Sequence, residues 1–301
     1  MAEKSKIKEI DTTTGPTDPE EHKKLEKEMG FKYRACTGEL IFAMVTCRPD
    51  ISFAVLKLTQ YNHCPAKCHY EAIIRIYQYL HATMNQGITY WRPHKNTSLP
   101  KAPRPIVVDE VYHVNIPIEN SVVDQPYGYV DSDWGSDIKT RKSVSGIIIM
   151  LAGTAVIYKT ILQKTIAMSS TEAEFYALAD AGKLTLYLRS VLDDLHIDQS
   201  DATTLYEDNK GCLLMATASK ATRRTRHIDI KHFAILDWVQ RDLLDIKHIS
   251  TKDNASDNLT KPNAKILFQR HADTIMGRRC PEYVDNVGAV RTIIRQLVVY
   301  D

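Results

Sequence analysis

The sequence lacks any apolar run long enough to cross a bilayer. Its longest such run, residues 146–157, falls short of the ~18–20 residues that a membrane-spanning helix needs. Gly153 interrupts the run where a turn would fit, so two buried strands are predicted there. Residues 1–6 are polar and charged and do not resemble a secretory signal. No membrane association is therefore expected.

The cysteine content and the net charge are also low. Six cysteines among 301 residues do not make a disulfide scaffold, and reduced intracellular thiols are expected. The net charge is only +2, so any contact with nucleic acid must come from a local basic patch. The hydrophobic content of 44% is ordinary for a globular protein, and a chain of this length predicts about two domains on a prior of ~150 residues each.

The first 126 residues divide into three segments. Residues 1–30 are polar and indicate a tail or linker with one short helix near 20–29. Apolar residues at helical spacing predict a small all-helical unit over 31–92, in which Pro49 ends one of the helices. Six prolines punctuate 93–126, which indicates a linker or irregular insertion with an extended piece at 106–111.

The pattern becomes mixed from residue 127. Strands are predicted at 127–133, 145–151, 154–159, 203–208 and 244–250, with a short extra piece at 165–168. Helices are predicted at 171–195, 211–217 and 230–242, with a last helix from about 254. This order predicts an α/β fold with a mixed sheet over 127–262, followed by a C-terminal tail of helical tendency over 263–301.

Four acidic residues stand in four separate segments of this region. Each ends a predicted strand or begins a predicted helix; they are Asp131, Glu174, Asp208 and Asp257. Carboxylates that a fold gathers without Lys or Arg to neutralise them repel one another, and a divalent cation relieves the repulsion. Hard oxygen ligands favour magnesium or manganese. Two such ions about 4 Å apart can hydrolyse a phosphodiester, which makes a nuclease the leading hypothesis.

Each acid taken singly also has a local explanation. Asp131 lies near a turn at Gly135, and Asp208 and Asp257 stand where helix N-caps are common. Residues 171–174 fit a capping box. Glu174 is favoured over Glu172 for a site because it heads a row of apolar residues that faces the sheet.

Two further clusters carry weaker signals. A basic segment at 220–227, with Lys139, Arg141 and Lys142, could hold a phosphate backbone or could be a solvated charged loop. Two histidines and two cysteines between His63 and His69 invite a zinc interpretation. Because no distant pair completes a usual finger spacing, ordinary helix-flanking residues are favoured there.

Six segments, in order, resemble the ribonuclease H domain of copia-type retrotransposon polyproteins. They are 129–134 (YVDSDW), 140–146 (TRKSVSG), 169–177 (SSTEAEFYA), 207–209 (EDN), 224–230 (RTRHIDI) and 257–262 (DNLTKP). Residues 37–54 (TGELIFAMVTCRPDISFA) resemble the segment that follows the polymerase palm in the same polyproteins. The helical unit at 31–92 would then be the thumb or connection of a reverse transcriptase.

The resemblance implies a five-stranded mixed sheet and cleavage of the RNA strand of an RNA–DNA hybrid. It places the catalytic, metal-binding carboxylates at Asp131, Glu174, Asp208 and Asp257, with two Mg²⁺ or Mn²⁺ ions and no small-molecule cofactor. The implied contacts to nucleic acid are Arg141, Lys142, Ser170, Asn209, Arg223, Arg224, Arg226 and His227. RNA 2′-hydroxyls would help to distinguish the strands.

The chain also departs from what it resembles. The loop at 250–254 lacks the His found in many cellular ribonucleases H, and the chain has no Tyr-x-Asp-Asp polymerase motif. No polymerase activity is expected, and the polymerase portion of a polyprotein becomes a candidate partner. The chain is expected to be the terminal fragment of a degenerate element or a truncated gene model, located in cytoplasmic particles or the nucleus. The alternatives are a catalytically silent remnant, which binds nucleic acid or nothing, and an integrase-like transposase of the same fold.

Overall fold

The computed structural model describes residues 4–90, 125–217 and 229–278. The strands are β1 Tyr127–Asp133, β2 Val144–Leu151, β3 Thr154–Leu162, β4 Thr203–Glu207 and β5 Leu244–His248. The helices before the sheet are α1 Lys4–Thr12, α2 Pro19–Met29, α3 Tyr33–Thr46, α4 Ser52–Thr59 and α5 Lys67–Ala82, with a 3-10 turn at Pro49–Ile51. The later helices are α6 Ser170–Asp194, α7 Lys210–Thr217, α8 Asp229–Gln240, α9 Asp257–Thr260 and α10 Lys265–Ile275.

The five strands form one mixed sheet in the order β3-β2-β1-β4-β5. The first three strands pair antiparallel, whereas β4 runs parallel to β1 and to β5. The predicted fold class, a mixed five-stranded sheet with flanking helices and a preceding helical unit, is confirmed. Because β1 and β4 are adjacent and parallel, both end at the same edge of the sheet, and this edge positions the candidate site.

The two faces of the sheet bury separate cores, since alternate residues of a strand point to opposite faces. Val130 of β1 and Leu205 of β4 lie in the core that α6 covers, together with Phe175. Tyr129, one residue before Val130, and Tyr206, one residue after Leu205, lie in the core of the opposite face. That second core includes Leu259 of α9 and Ile275 of α10.

The helical unit has a core of its own and also touches the sheet. Tyr33, Leu40, Val55, Tyr70 and Ile73 form the centre of this core. Residues 4–30, for which the sequence predicts a tail or linker, contain two helices whose apolar side chains pack on this core; these are Ile10, Leu25 and Met29. The hydroxyl of Tyr158 on β3 donates a hydrogen bond of 2.7 Å to the carbonyl of Val45, which joins the unit to the sheet.

Some predicted elements differ from the structure. Residues 165–168 form bends instead of a strand, and the carbonyl of Ala167 accepts the indole N–H of Trp134 at 3.0 Å. The last predicted helix starts at Asp257 instead of 254, since Asn254 donates its side-chain amide to the Val130 carbonyl at 2.7 Å. The predicted extended piece at 106–111, and the insertion as far as residue 124, lie outside the described residues.

Of the helices in the described ranges, none combines the length and the apolar character that crossing a bilayer requires.

Gly146 lets α9 lie against the sheet beside the candidate site. It pairs with Asp131 across β1 and β2. A Cβ atom at Gly146 would lie 2.6 Å from Cγ2 of Thr260 and 2.8 Å from the backbone oxygen of Ser256. The backbone oxygen has little room to move away, so only a residue without a side chain allows α9 this close approach.

We predict that Gly146→Ala destabilises the fold by about 1–3 kcal/mol, the usual cost of overpacking a core. The matched control is Gly38→Ala, an exposed helical position at which a Cβ meets nothing within 4 Å. That substitution should stabilise α3 by up to ~1 kcal/mol, because alanine favours helix over glycine. Urea unfolding of the three proteins measures both effects. Equal stability of Gly146→Ala and the parent chain would contradict the packing described above.

Candidate metal centre

The centre lies where β1 and β4 end. Asp131 is near the end of β1 and is 1% exposed. The register pairs Tyr129 with Tyr206, so Asp208, two residues further along than Tyr206, stands level with Asp131. Two carboxylates on neighbouring parallel strands are thereby placed side by side.

Glu174 reaches this edge from the first turn of α6. The helix N-cap is Ser169, whose hydroxyl accepts the N–H of Glu172 at 3.2 Å. The predicted capping box at 171–174 is therefore wrong, because the N-cap lies two residues before Thr171. Glu172 accepts the N–H of Met168 and the hydroxyl of Tyr176, each at 2.8 Å, and so holds the start of the helix. The preference for Glu174 as the site residue agrees with this division.

The N-cap explanations offered for the other two acids are not what the structure shows. Asn209, not Asp208, caps α7, because its side-chain oxygen accepts the N–H of Cys212 at 3.0 Å. Asp257 is the first residue of α9 and follows the N-cap Ser256. Both carboxylates are thus available to the cluster.

The carboxylate oxygens form two groups that share one residue. Asp131, Asp208 and Asp257 make the first group, and Glu174, Glu207 and Asp208 make the second. Within each group the candidate ligand atoms all lie within 4.8 Å of one another. The structure therefore brings all four predicted acids together, and Asp208 connects the two groups.

Glu207 is the fifth acid, and sequence reasoning missed it. It ends β4, is fully buried, and accepts the N–H of Asn209 on Oε1 at 3.0 Å. Alternation along β4 directs it to the face that α6 covers, which is the face that carries Glu174. The available signal was the Glu-Asp pair at a strand end, since neighbouring acids there serve opposite faces of one edge.

Burial and mutual repulsion dominate the electrostatics of the second group. Burial, followed by the charges of Glu207, Asp131 and Asp208, raises the pKa of Glu174 to about 11. Burial also raises the pKa of Glu207 well above its usual range, against the N–H of Asn209, which lowers it. An acid whose pKa is raised by folding destabilises the fold as the pH rises above its unfolded pKa of ~4.3.

A lysine partly neutralises the first group, contrary to the expectation that no Lys or Arg would do so. The ammonium of Lys261 lies 3.0 Å from Oδ1 of Asp257 and 3.5 Å from Oδ1 of Asp131. Burial and the charge of Asp131 still raise the pKa of Asp257, to about 7, while Lys261 lowers it. Burial likewise raises the pKa of Asp131 despite the opposing effects of Lys261 and a hydrogen bond from Thr260.

The described nucleic-acid candidates flank this edge. Arg141 and Lys142 lie in the loop after β1, which is closed by hydrogen bonds between the backbones of these residues and Asp137. Arg141 is exposed, and Ser170 is exposed one helical turn before Glu174. Asn209 follows Asp208 directly and caps α7. The other four predicted contacts lie outside the described residues: Arg223, Arg224, Arg226 and His227.

Of the residues considered for zinc, His69 has a local role in the structure. His69 is buried, its Nδ1 accepts the N–H of Ala66 at 2.8 Å, and its Nε2 lies 2.9 Å from the carbonyl of Ile10. Its ring stacks on Tyr61 with 3.9 Å between centroids. The His69 side chain therefore fixes the start of α5 against α1.

The carboxylate groups fit divalent cations. Oε2 of Glu174 and Oε2 of Glu207 are buried and lack a hydrogen-bond partner in the described part of the chain. A buried carboxylate oxygen without a partner is costly, and a cation supplies the missing interaction. Every candidate ligand is a carboxylate oxygen, which is the donor type that magnesium and manganese prefer.

Comparison with known proteins gives the family context. No protein-family model matches the chain. It is 31% identical over 250 residues to the retrovirus-related Pol polyprotein from transposon RE1 of Arabidopsis thaliana. It is 30% identical over 254 residues to the retrovirus-related Pol polyprotein from transposon TNT 1-94 of Nicotiana tabacum. These matches cover 83% and 84% of this chain, but only 15% and 17% of the relatives.

The chain is thus a homologue of the Pol polyproteins of copia-type retrotransposons, as the sequence motifs predict, and spans less than a fifth of their length. Among solved structures, it is similar to a ribonuclease H1 isolated from compost by a metagenomic approach. That likeness has a TM-score of 0.35 and 18% identity, and covers 46% of this chain and 93% of the other. A likeness of this size does not bear on the chemistry.

We predict that Glu207→Gln makes the metal-free protein more stable and weakens its stabilisation by magnesium. Glutamine keeps an oxygen for the N–H of Asn209 but removes one buried carboxylate from the cluster. The gain should be ~1–3 kcal/mol at pH 8 and smaller near pH 5, where the unfolded carboxyl also binds protons. Thermal melts at both pH values, with and without Mg²⁺, measure it.

The matched control is Glu172→Gln, the same change at a buried glutamate of α6 whose partners are Met168 and Tyr176. It should leave the magnesium-induced shift in melting temperature unchanged. A Glu207→Gln protein with the magnesium response of the parent chain would exclude Glu207 from the cation site.

Proposed function

We propose that this chain is a divalent-cation-dependent endonuclease that cleaves the RNA strand of RNA–DNA hybrids during retrotransposon reverse transcription. The convergence of Asp131, Glu174, Asp208 and Asp257 on one sheet edge carries the proposal. Homology to Pol polyproteins supports it, because reverse transcription produces such hybrids. The polymerase chemistry itself is proposed to reside in polyprotein regions outside this chain.

The two carboxylate groups would provide two cation positions that share Asp208. Asp131 and Asp257 would complete the first position, and Glu174 and Glu207 the second. When bound, a pair of divalent cations can activate an attacking water and stabilise the leaving 3′ oxygen of a phosphodiester. Without cations, ionised carboxylates of the cluster, which outnumber the ammonium of Lys261 among the described residues, would repel a phosphodiester.

The protein's own residues keep the carboxylates in place. Thr260 donates its hydroxyl to Oδ2 of Asp131, and the N–H of Asn209 holds one oxygen of Glu207. These bonds orient the carboxylates of Asp131 and Glu207 before substrate arrives. A preorganised ligand set needs little rearrangement to bind cations.

The polar residues around this edge would position the hybrid. Arg141 and Lys142 extend from the closed loop after β1, and Ser170 stands exposed at the start of α6. Charged and hydroxyl side chains of this kind hold phosphate oxygens and fix register without reading sequence. The selection of RNA over DNA is proposed to use 2′-hydroxyl contacts near Asn209 and Ser170.

We predict that Asp208→Asn abolishes cleavage of a labelled RNA–DNA hybrid in Mg²⁺ or Mn²⁺. Because Asp208 serves both groups, its loss should cost at least ~100-fold, since even the residues that support metal ligands contribute ~10–100-fold. The control is Asp245→Asn on β5, the outermost strand of the sheet, where the aspartate is about half exposed and pairs with Lys247. Activity is measured on hybrid, duplex RNA and duplex DNA.

Cleavage confined to the hybrid and lost only in Asp208→Asn would support the proposal. Cleavage of duplex DNA instead would favour an integrase-like nuclease of the same fold. If the folded parent chain cleaved none of these substrates in either cation, the enzyme proposal would fail and a silent remnant would remain.

We also predict that the double substitution Arg141→Ala and Lys142→Ala weakens hybrid binding and flattens its salt dependence. The slope of log affinity against log salt should fall by about 0.7–0.9 for each phosphate that the loop no longer neutralises. The control is Arg241→Ala, an exposed arginine just before the amino end of β5, at the opposite edge of the sheet. Fluorescence anisotropy across a salt series measures the slopes, and equal slopes for all three proteins would exclude the loop from the interface.

A further inference from the structure

Lys261 places its ammonium inside the first carboxylate group. Its Nζ lies 3.0 Å from Oδ1 of Asp257 and 3.5 Å from Oδ1 of Asp131. Both aspartate side chains are 2% exposed, whereas that of Lys261 is 31% exposed. The Lys261 ammonium is therefore held between two buried carboxylates and approaches them from the solvent side.

The backbone of Lys261 is fixed while its side chain is free to leave. Its N–H donates to the carbonyl of Asp257 at 3.1 Å, and its φ and ψ of −146° and 159° end α9 in extended backbone. The neighbouring Thr260 bonds the other oxygen of Asp131, so this carboxylate keeps one partner if the ammonium departs. A four-carbon stem carries the charge, and such a stem can swing to solvent without moving α9.

The second carboxylate group has no comparable partner. Within the described residues, no ion pair joins Glu174 or Glu207 to a lysine or arginine. The two halves of the cluster therefore differ: the ammonium of Lys261 already occupies one of them. The other presents Oε2 of Glu174 and Oε2 of Glu207, which have no hydrogen-bond partner among the described residues.

An ammonium and a divalent cation cannot both use the same oxygens. Magnesium binds carboxylate oxygens at ~2.0–2.1 Å, and like charges about 4 Å apart repel each other by ~1–4 kcal/mol in surroundings between water and a protein surface. A cation that binds Asp131 and Asp257 must therefore displace Lys261 from its present position. The displaced ammonium stays at the rim of the cluster, where it could donate a hydrogen bond to a substrate phosphate.

We propose that Lys261 is a built-in competitor for the cation position between Asp131 and Asp257, so that it weakens divalent-cation binding there. This inference rests on the cation site of the proposed function. It adds that one residue of the chain lowers the affinity of one of the two positions.

The test is direct magnesium and manganese binding by isothermal titration calorimetry, on the whole chain without nucleic acid. Lys261→Met keeps the apolar stem and removes the charge. We expect one of two binding steps to tighten about tenfold or more, the equivalent of relieving a repulsion of ~1.4 kcal/mol. The control is Lys247→Met, the same change at an exposed lysine paired with Asp245 on β5, and it should bind cations as the parent chain does.

A second measurement uses the parent chain alone and does not depend on whether the variant folds. Nitrogen-detected NMR of the lysine ammonium groups should show the Lys261 resonance moving as the weaker cation position fills. The Lys247 resonance should not move over the same titration.

The outcomes separate the two proposals. Equal cation affinity of Lys261→Met and the parent chain, or a Lys261 resonance that saturating Mg²⁺ leaves unmoved, would overturn the role of Lys261 and leave the nuclease proposal standing. If no protein bound either cation, both the competition and the metal-dependent mechanism would fall. One step tightened by Lys261→Met alone, together with the moving resonance, would establish the competition.

Discussion

Repulsion among buried carboxylates is the constraint that the rest of this structure accommodates. Five acids meet where β1 and β4 end, and burial raises the pKa of each of the four for which a shift is resolved. A fold gains nothing from such a cluster by itself, because every member costs free energy to bury. Helices on both faces of the sheet bring the acids together. Gly146 permits the close approach of α9, and Lys261 pairs with two of the acids.

The sheet divides the cluster between its two faces. Asp131 points to the same face of the sheet as Tyr129, which α9 covers. Glu207 points to the same face as Leu205, which α6 covers. Each face contributes one helix with one acid, Asp257 or Glu174, and Asp208 joins the two groups. The central pair of parallel strands thus produces a site with two unlike halves, one with a resident ammonium and one without.

The sequence predicted the elements whose local signals agree with their tertiary role. Strand β1 has the predicted bounds, and the predicted long helix differs from α6 by one residue at each end. The order of the four acids between those elements was enough to predict that they would meet. The predicted reaction, cleavage of the RNA strand of a hybrid, came from the resemblance in motifs, because periodicity indicates only secondary structure.

What the sequence left out depends on contacts between distant segments. The predicted capping box began at Thr171, whereas the N-cap is Ser169, whose position depends on the path of the preceding loop. Glu207 was missed because its role depends on α6 arriving over β4. Residues 4–30 are polar enough to predict a tail, yet a few apolar residues among them suffice for folding once the core of α3, α4 and α5 offers a surface.

The site also depends on the order in which the chain is made. The acids are spread over 127 positions, from residue 131 to residue 257, and the last of them is followed closely by Thr260 and Lys261. A nascent chain that ends before α9 holds Asp131, Glu174, Glu207 and Asp208 but lacks Asp257 and Lys261. The cluster is therefore completed late in synthesis, together with the second core, to which Leu259 and Ile275 belong, and a chain that stops short of residue 257 lacks one side of the site.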